Sequence, residues 1–186
     1  MSEMQAKRGV SKAEWLQAGM EALSIGSIVG VTVEGLAREL GIAKAGFYWH
    51  FKDRQDLRAQ MLKYWVHELT EVVTQNQELL ALEPRSRLIT TAEMILEYDL
   101  ARYDIAFRQW AKQDRFALRA VKKVNRIRLD FVRKTLSELE FSGNDLEIRA
   151  MMFVCYHTWE TMMFPEISRK SRRELISGRI DLIISR

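Results

Sequence analysis

The run from Arg54 to Leu82 contains neither Gly nor Pro, and this feature constrains the fold more than any other. Both residues disfavour a helix interior, so their absence predicts one long connecting helix over this stretch. The whole chain of 186 residues has only 2 Pro and 9 Gly, while 47% of its residues are hydrophobic. We therefore expect an all-α globular protein.

Helix starts are marked where Ser, Thr, Asn or Asp is followed three residues later by an acid, because this pair satisfies two free backbone donors. The pairs are Ser11/Glu14, Asp53/Asp56, Asn144/Glu147 and Ser171/Glu174. Thr32 opens a further helix with apolar residues at helical spacing, and Gly41 is its expected stop. Later helices are predicted over residues 84–98, 104–111, 116–139 and 144–164, and from 171 onward.

A short helix, a turn at Gly41 and a second short helix over Lys44–Phe51 form the layout of a helix-turn-helix, whose second helix enters the DNA major groove. Phe47 and Phe51 lie four apart on one face and are expected in the inner core with Leu36 and Leu40. The polar-tipped rings of Tyr48, Trp49 and His50 are then left for the surface.

The stretch TVEGLARELGIAKAGFYWHFKDRQDL, residues 32–57, resembles the helix-turn-helix of the TetR family of bacterial transcriptional regulators. The family's lysine falls on Lys44, its tyrosine on Tyr48, and its His-Phe pair on His50 and Phe51. The resemblance implies a DNA-binding domain over residues 1–53, followed by a larger helical effector-binding and dimerisation domain over residues 54–186.

By the same resemblance, one set of side chains and helix starts is expected to line double-stranded DNA. These are Thr32, Val33, Lys44, Ala45, Gly46, Tyr48, Trp49, His50 and Lys52. Three positions depart from the family pattern. Ala43 replaces a capping Ser or Thr, Gly46 offers no side chain to a base, and the later lysine is Arg54, one residue along.

The balance of charge neither demands nor excludes a polyanionic partner. The net charge is +4, and basic and acidic residues are nearly balanced on both sides of residue 60. A single cysteine, no signal-like N-terminus and no apolar run long enough for a membrane span predict a reducing, cytoplasmic setting. The basic residues Arg115, Arg119, Lys122 and Arg126 share one helix face, expected to be solvated or to meet an acidic partner.

No pattern of catalytic or metal-binding residues emerges. The sequence has no nucleophile elbow, Gly-rich phosphate loop or spaced catalytic carboxylates, so we do not expect an enzyme or a cofactor. His67 and His157 are isolated, and the single pair His157-x-x-Glu160 is too little for a metal site in a helical bundle. Cys155 lies in an apolar helix and is expected to be a small buried hydrophobe.

The helix over residues 144–164 is apolar nearly all round, which favours a homodimer whose two-fold interface buries it. The residues predicted for this interface are Met152, Met163, Ile176, Ile180 and Ile183. If the protein is a dimer, its two recognition helices can read successive major grooves of a palindromic operator.

Aromatic residues from five helices are predicted to line an effector pocket between the connecting helix and the helix over residues 144–164. They are Trp65, Tyr98, Tyr103, Trp110, Phe116, Tyr156 and Trp159, with Arg102, Arg108 or His157 to orient a polar end. The alternative is that these rings simply fill the core.

The family resemblance implies repression that a small apolar or aromatic ligand releases. Two other functions stay open at this point: a DNA-binding regulatory dimer without a ligand, and a helical small-molecule carrier or enzyme.

Overall fold

The computed structural model describes residues 9–186, in which every regular element is a helix. The prediction of an all-α protein is therefore confirmed. The described residues form two compact units that divide between Tyr64 and Trp65. The prediction that the N-terminus is not signal-like concerns mainly residues 1–8, which lie outside the described part. No helix in the described part is long and apolar enough to cross a membrane.

The first unit consists of three helices and the beginning of a fourth. They are α1 (Lys12–Ile25), α2 (Val33–Glu39), a 3₁₀ helix (Lys44–Trp49) and α3 (Arg54–Val66), which continues into the second unit. The Trp15 ring stands edge-on to Phe47 at 5.3 Å, and Phe47 stacks on Phe51 at 5.0 Å. All three are fully buried, so the predicted place of the two phenylalanines in the core is confirmed.

The predicted boundaries of α1 and α2 are confirmed. Ser11 accepts a hydrogen bond from the Glu14 amide, and the Glu14 carboxylate accepts one from the Ser11 amide at 2.7 Å. Gly41 has a φ of +66°, which only glycine adopts without strain. The Ile42 amide donates to the Ala37 carbonyl at 3.0 Å, which closes the end of α2.

The predicted connecting helix is only partly correct. After α3 the chain forms a π-helical segment (His67–Glu71) and one last turn, α4 (Val72–Thr74), before the helix stops. The Asn76 side chain accepts a hydrogen bond from the Leu79 amide at 2.8 Å and so starts a new helix, α5 (Gln77–Ala81). A capping residue inside a run free of Gly and Pro is sufficient to divide it.

The second unit continues with five longer helices, some of which begin elsewhere than predicted. They are α6 (Pro84–Glu97), α7 (Leu100–Ala111), α8 (Arg115–Ser137), α9 (Gly143–Met163) and α10 (Arg169–Ile184). The predicted cap Asn144 lies inside α9, and Ser171 lies inside α10. Ser168 instead caps α10 by accepting from the Ser171 amide at 3.1 Å.

Three isoleucines predicted for the dimer interface lie in the core of the second unit. Ile176, Ile180 and Ile183 are buried in the subunit, in one cluster with residues such as Leu88 and Leu136. Their assignment to a dimer interface is therefore wrong. Spacings of four and three indicate that α10 buries a stripe, but they do not indicate whether the covering surface belongs to the same chain.

The buried stripe of α8 does not include Phe116, which was predicted to line the effector pocket. It follows Ala117, Val121, Val124 and Phe131, so Phe116 lies on another face and is 65% exposed. The four basic residues predicted on a common face of α8 are exposed, as expected for a solvated surface.

Candidate DNA interface and ligand cavity

The predicted recognition helix is a short 3₁₀ helix (Lys44–Trp49), called the recognition helix below. Ala43 precedes it without a side-chain cap, and Gly46 lies at its centre, so the local sequence supports a longer α-helix poorly. Because Phe47 is anchored in the core, the next two rings point outward, with Tyr48 62% and Trp49 87% exposed. A large aromatic surface is therefore available to a partner.

Lys44 is held at the start of this helix by an acid on α2. Its Nζ donates to Glu34 Oε1 at 3.0 Å, and both side chains are more than half exposed. The hydrogen bond raises the pKa of Lys44 and lowers the pKa of Glu34. Lys44 is thus positively charged and held in place by Glu34. A DNA phosphate that binds Lys44 must either replace the Glu34 carboxylate or bind beside its negative charge.

Two predicted DNA contacts are restricted by contacts within the first unit. His50 is half-buried, and its Nε2 lies 2.8 Å from the Val10 carbonyl, to which it donates. The Val33 side chain is buried, so at this position only the backbone amide at the start of α2 can face DNA. Thr32 caps the same helix by accepting from the Gly35 amide at 3.1 Å. Ala45 and Lys52 are exposed.

Arg54 has a structural role that sequence reasoning missed. Its Nε donates to the Val31 carbonyl at 2.7 Å, and its Nη2 donates to the carbonyls of Ile28 and Val29 at 3.0 and 2.6 Å. Arg58 adds a further bond to Ile28 at 2.9 Å. The start of α3 thereby holds the loop that precedes α2. No local pattern in the sequence signals this contact, because it joins residues more than twenty positions apart.

The second unit contains a cavity of about 50 Å³ between the stretch Leu69–Thr74 and α9. Its wall is mostly apolar and includes Val73, Ile95, Leu100, Phe131, Phe153 and Val154. The polar groups in the wall are Thr70, Thr74, Thr91, Thr158, Asp104, Arg128 and His157. The position agrees with the predicted pocket, but none of the seven predicted aromatic residues, all of which the structure describes, lines this cavity.

The predicted aromatic residues are used elsewhere. Trp65 stacks on Phe107 at 4.5 Å, and Phe107 lies 5.9 Å from Trp110, so these rings form a separate cluster. Tyr98 is 64% exposed, like Phe116. Tyr103, Tyr156 and Trp159 also lie outside the cavity wall. Trp65, Tyr103 and Trp110 are buried and fill the core, as the alternative predicted, whereas Tyr98, Phe116 and Trp159 are exposed.

The polar groups around the cavity are mostly paired with each other. Asp104 is buried and accepts hydrogen bonds from Trp65 Nε1 at 3.2 Å and from Arg128. Arg108, predicted to orient a ligand, instead donates to Asn125 at 2.7 Å, and burial lowers its pKa. Of the three predicted orienting residues, only His157 lines the cavity.

His157 is the polar residue of the cavity with an unused atom. Its Nδ1 lies 2.7 Å from the Phe153 carbonyl in the preceding turn, and its Nε2 has no hydrogen-bond partner among the described residues. Burial lowers the pKa of His157 to about 4, so the ring is neutral near pH 7. Because a carbonyl only accepts, Nδ1 carries the proton and Nε2 is a buried acceptor.

A second apolar surface, called the outer face below, runs along α9 and α10. Its exposed side chains are Ile148, Met151, Met152, Cys155, Trp159, Met162, Met163, Leu175 and Leu182. The two helices are neighbours, since Arg179 lies over the Tyr156 ring at 4.1 Å and Arg172 pairs with Glu160 at 3.2 Å. Cys155 lies on this face, so its predicted burial within the subunit is wrong. The residues of α9 on this face recur at intervals of three and four, which places them on one side of the helix.

Comparisons with known proteins identify this architecture. The family model for bacterial regulatory proteins of the tetR family matches residues 16–61. A transcriptional regulator from Rhodococcus sp. Rha1 has a TM-score of 0.72 at 15% identity, covering 94% of this chain and 96% of its own. A transcriptional regulator from Aquifex aeolicus VF5 has a TM-score of 0.71 at 17% identity, covering 92% and 98%.

A further similar structure is the transcriptional regulator FadR from Bacillus subtilis in complex with stearoyl-CoA. Its TM-score is 0.70 at 14% identity, covering 94% of this chain and 98% of its own. No curated protein matches the chain. The family match covers the helix-turn-helix, and the structural similarity extends over both units. Residues 16–61 therefore match the helix-turn-helix of the tetR family of bacterial regulatory proteins, and both units share the fold of known transcriptional regulators.

Proposed function

We propose that this regulator is a homodimeric repressor that binds a palindromic operator and releases it when a small, mostly apolar effector enters the cavity. Residues 1–53 carry the DNA contacts, and residues 54–186 carry the effector site and the dimer interface. The observation that carries the proposal is the pair of exposed rings, Tyr48 and Trp49, on a recognition helix anchored by Phe47.

The DNA contacts divide into two kinds. Lys44, Lys52 and the amides at the start of α2 supply positive charge and N–H donors, which suit phosphate oxygens and position the protein on the duplex. Tyr48 and Trp49 add a hydroxyl, an indole N–H and apolar surface beside them. Because Gly46 has no side chain, direct base reading depends more on Lys44, Tyr48 and the start of α2.

The outer face supports the proposed homodimer. A contiguous apolar surface on two neighbouring helices is unusual for a monomer, and a two-fold axis would pair it with an identical surface. Met152 and Met163 lie on this face and are exposed. Methionine packs adaptably against irregular surfaces, which suits contacts between helices of two copies.

Release by a ligand is supported by the cavity's position along the chain. Leu69, Thr70, Val73 and Thr74 line it, and they directly follow α3, which begins in the DNA-binding unit. A cavity of about 50 Å³ is roughly a third of the ~150 Å³ cavity that binds benzene in another protein. A ligand as large as benzene must therefore displace the helices around this cavity, and this displacement can couple ligand binding to DNA affinity.

The similar structure of FadR from Bacillus subtilis contains stearoyl-CoA. It supports a small-molecule effector for this fold, but the cavity here is too small for a long acyl chain without large movement. We therefore do not transfer that ligand to this chain.

The proposal is tested by selecting genomic DNA fragments with the purified protein and measuring affinity for the enriched sites by fluorescence anisotropy. We expect a palindromic site bound by a dimer, reduced reporter expression in cells, and small molecules that lower operator affinity. A site whose binding activates the reporter would contradict repression.

The small cavity favours a second candidate function, a regulatory dimer without an effector. A screen in which no compound both binds the second unit and lowers operator affinity would support it over the effector-released repressor.

A further inference from the structure

The polar groups of the cavity wall offer hydrogen-bond acceptors to a ligand, while their donors are already used within the protein. The four threonine hydroxyls of the wall all donate to backbone carbonyls four or five residues earlier in the chain. The pairs are Thr70 to Trp65 at 3.3 Å, Thr74 to Thr70 at 2.9 Å, Thr91 to Arg87 at 2.7 Å and Thr158 to Val154 at 2.8 Å. Each hydroxyl proton is therefore used, while the oxygen can still accept.

The charged groups of the wall also leave acceptors rather than free donors for a ligand. Arg128 donates to Asp104 and, at 3.4 Å, to Thr70. Asp104 also accepts from Trp65, so this ion pair is directed at the protein. A carboxylate placed in the cavity would find Arg128 already paired with Asp104 and would otherwise face oxygen acceptors.

His157 adds the decisive acceptor. It is only 7% exposed, and its Nδ1 is directed to the carbonyl of Phe153 in its own helix. The opposite edge of the ring, Nε2, is therefore directed away from that helix. The residue lines the main cavity and also a smaller one of about 20 Å³ next to it.

We propose that the effector is an uncharged, mostly apolar molecule with one hydrogen-bond donor, such as a phenol or an alcohol, and that this donor binds Nε2 of His157. The inference rests on the proposed effector function of the cavity. A buried acceptor without a partner is costly, so a ligand that donates to it gains relative to an isosteric ligand that does not. Specificity of this kind is stronger than what apolar contacts alone provide.

A water molecule in the smaller cavity is the rival partner for Nε2. A volume of about 20 Å³ is sufficient for one water, and Glu160 and Thr161 in that wall provide further polar contacts. If such a water remained in place when the ligand bound, a donor on the ligand would bring no advantage. The two cases therefore predict different selectivity.

The test uses the full-length protein and three compounds of similar shape: 4-ethylphenol, 4-ethyltoluene and 4-ethylbenzoate. Their dissociation constants are measured by calorimetry and NMR in the absence of DNA, for the unmodified protein and for His157→Leu. We expect binding of 4-ethylphenol, no binding of 4-ethylbenzoate, and a preference for the phenol over the toluene that falls about tenfold in His157→Leu. His67→Leu, an exposed histidine outside the cavity wall, is the control and should retain the preference.

A measurement on the unmodified protein covers the case in which His157→Leu does not fold. The ¹⁵N resonance of Nε2 should shift on addition of 4-ethylphenol and stay in place with 4-ethyltoluene. Equal binding of the two compounds, tighter binding of 4-ethylbenzoate, or no binding of the phenol would each overturn the proposal.

Operator release is measured separately, so that the two proposals can fail independently. Binding of 4-ethylphenol at His157 without any loss of operator affinity would refute effector release and leave the ligand class intact. Release by compounds that lack a donor would refute the ligand class and leave the repressor function intact.

Discussion

Lys44 at the start of the recognition helix donates to Glu34 in the first turn of α2 at 3.0 Å. This pair places a carboxylate beside the cation expected to meet a phosphate. Glu34 is therefore a candidate for tuning DNA affinity, although it belongs to none of the expected DNA contacts.

Replacing Glu34 with Gln should increase operator affinity a few-fold and make binding more sensitive to salt. The variant removes a negative charge near the DNA and leaves Lys44 available to a phosphate. Anisotropy titrations at several salt concentrations measure both effects. Glu39→Gln, an exposed acid at the other end of α2, is the matched control. An unchanged or weaker affinity in Glu34→Gln would show that the carboxylate does not oppose DNA binding.

Replacing Tyr48 with Ala should lower operator affinity about tenfold or more, because the variant loses a donor and apolar surface at the interface. The ring is mostly exposed, so the thermal unfolding midpoint should change little. Tyr98→Ala is the control, since Tyr98 is equally exposed but lies in the second unit. Equal affinity of the Tyr48 variant and the unmodified protein would exclude this contact.

Replacing Arg54 with Ala should destabilise the first unit by about 2 kcal/mol, because three carbonyls of the loop before α2 lose a charged donor. Urea unfolding followed by tryptophan fluorescence measures the change through the buried Trp15. Arg38→Ala, an exposed arginine on α2, should have a small effect. If both variants lower stability equally, Arg54 has no special role in holding the loop.

Replacing Met152 or Met163 with Glu should weaken the dimer at least about a hundredfold, since each subunit would bury an unpaired charge in the interface. Sedimentation equilibrium at micromolar concentration should show monomers. Leu118→Glu, a comparably exposed apolar position on α8, should leave the dimer intact. A dimer that survives both methionine changes requires an interface elsewhere.

His157 should make stability depend on pH. Its pKa is about 4 in the folded protein and ~6.5 in an unfolded chain. The unfolded state therefore binds the proton first, and stability that is present above pH ~6.5 is lost as the pH falls towards 4. The full loss is about 3 kcal/mol. Unfolding curves between pH 7 and 4 should show a shallower decline in His157→Leu than in the unmodified protein or in His67→Leu.

Local features of the helix-turn-helix were predictable from the sequence. The Ser11/Glu14 pair and the Gly41 stop depend on groups within a few residues of each other, so their geometry follows from local sequence. The burial of Phe47 and the exposure of Tyr48 and Trp49 follow from one periodicity in a short helix. The family resemblance rests on these same residues.

The second unit was less predictable, because its site is assembled from distant parts of the chain. Threonines from three stretches and a histidine from α9 meet at the cavity, whereas Trp65 and Trp110 stack with Phe107 in a separate cluster. No single stretch of sequence contains a signal for this meeting. Only the free Nε2 of His157 indicates what the cavity can bind, and this depends on contacts made after folding.

The sequence by itself determined an all-helical chain with an N-terminal helix-turn-helix, because helix propensity, caps and turns act over a few residues. Tertiary structure alone decided which surface covers each apolar stripe. Ile176 and Ile180 became core, Met152 and Met163 stayed exposed, and Phe116 turned to solvent. The physical reason is that apolar periodicity indicates that a face must be buried, while the partner that buries it depends on how the other helices pack.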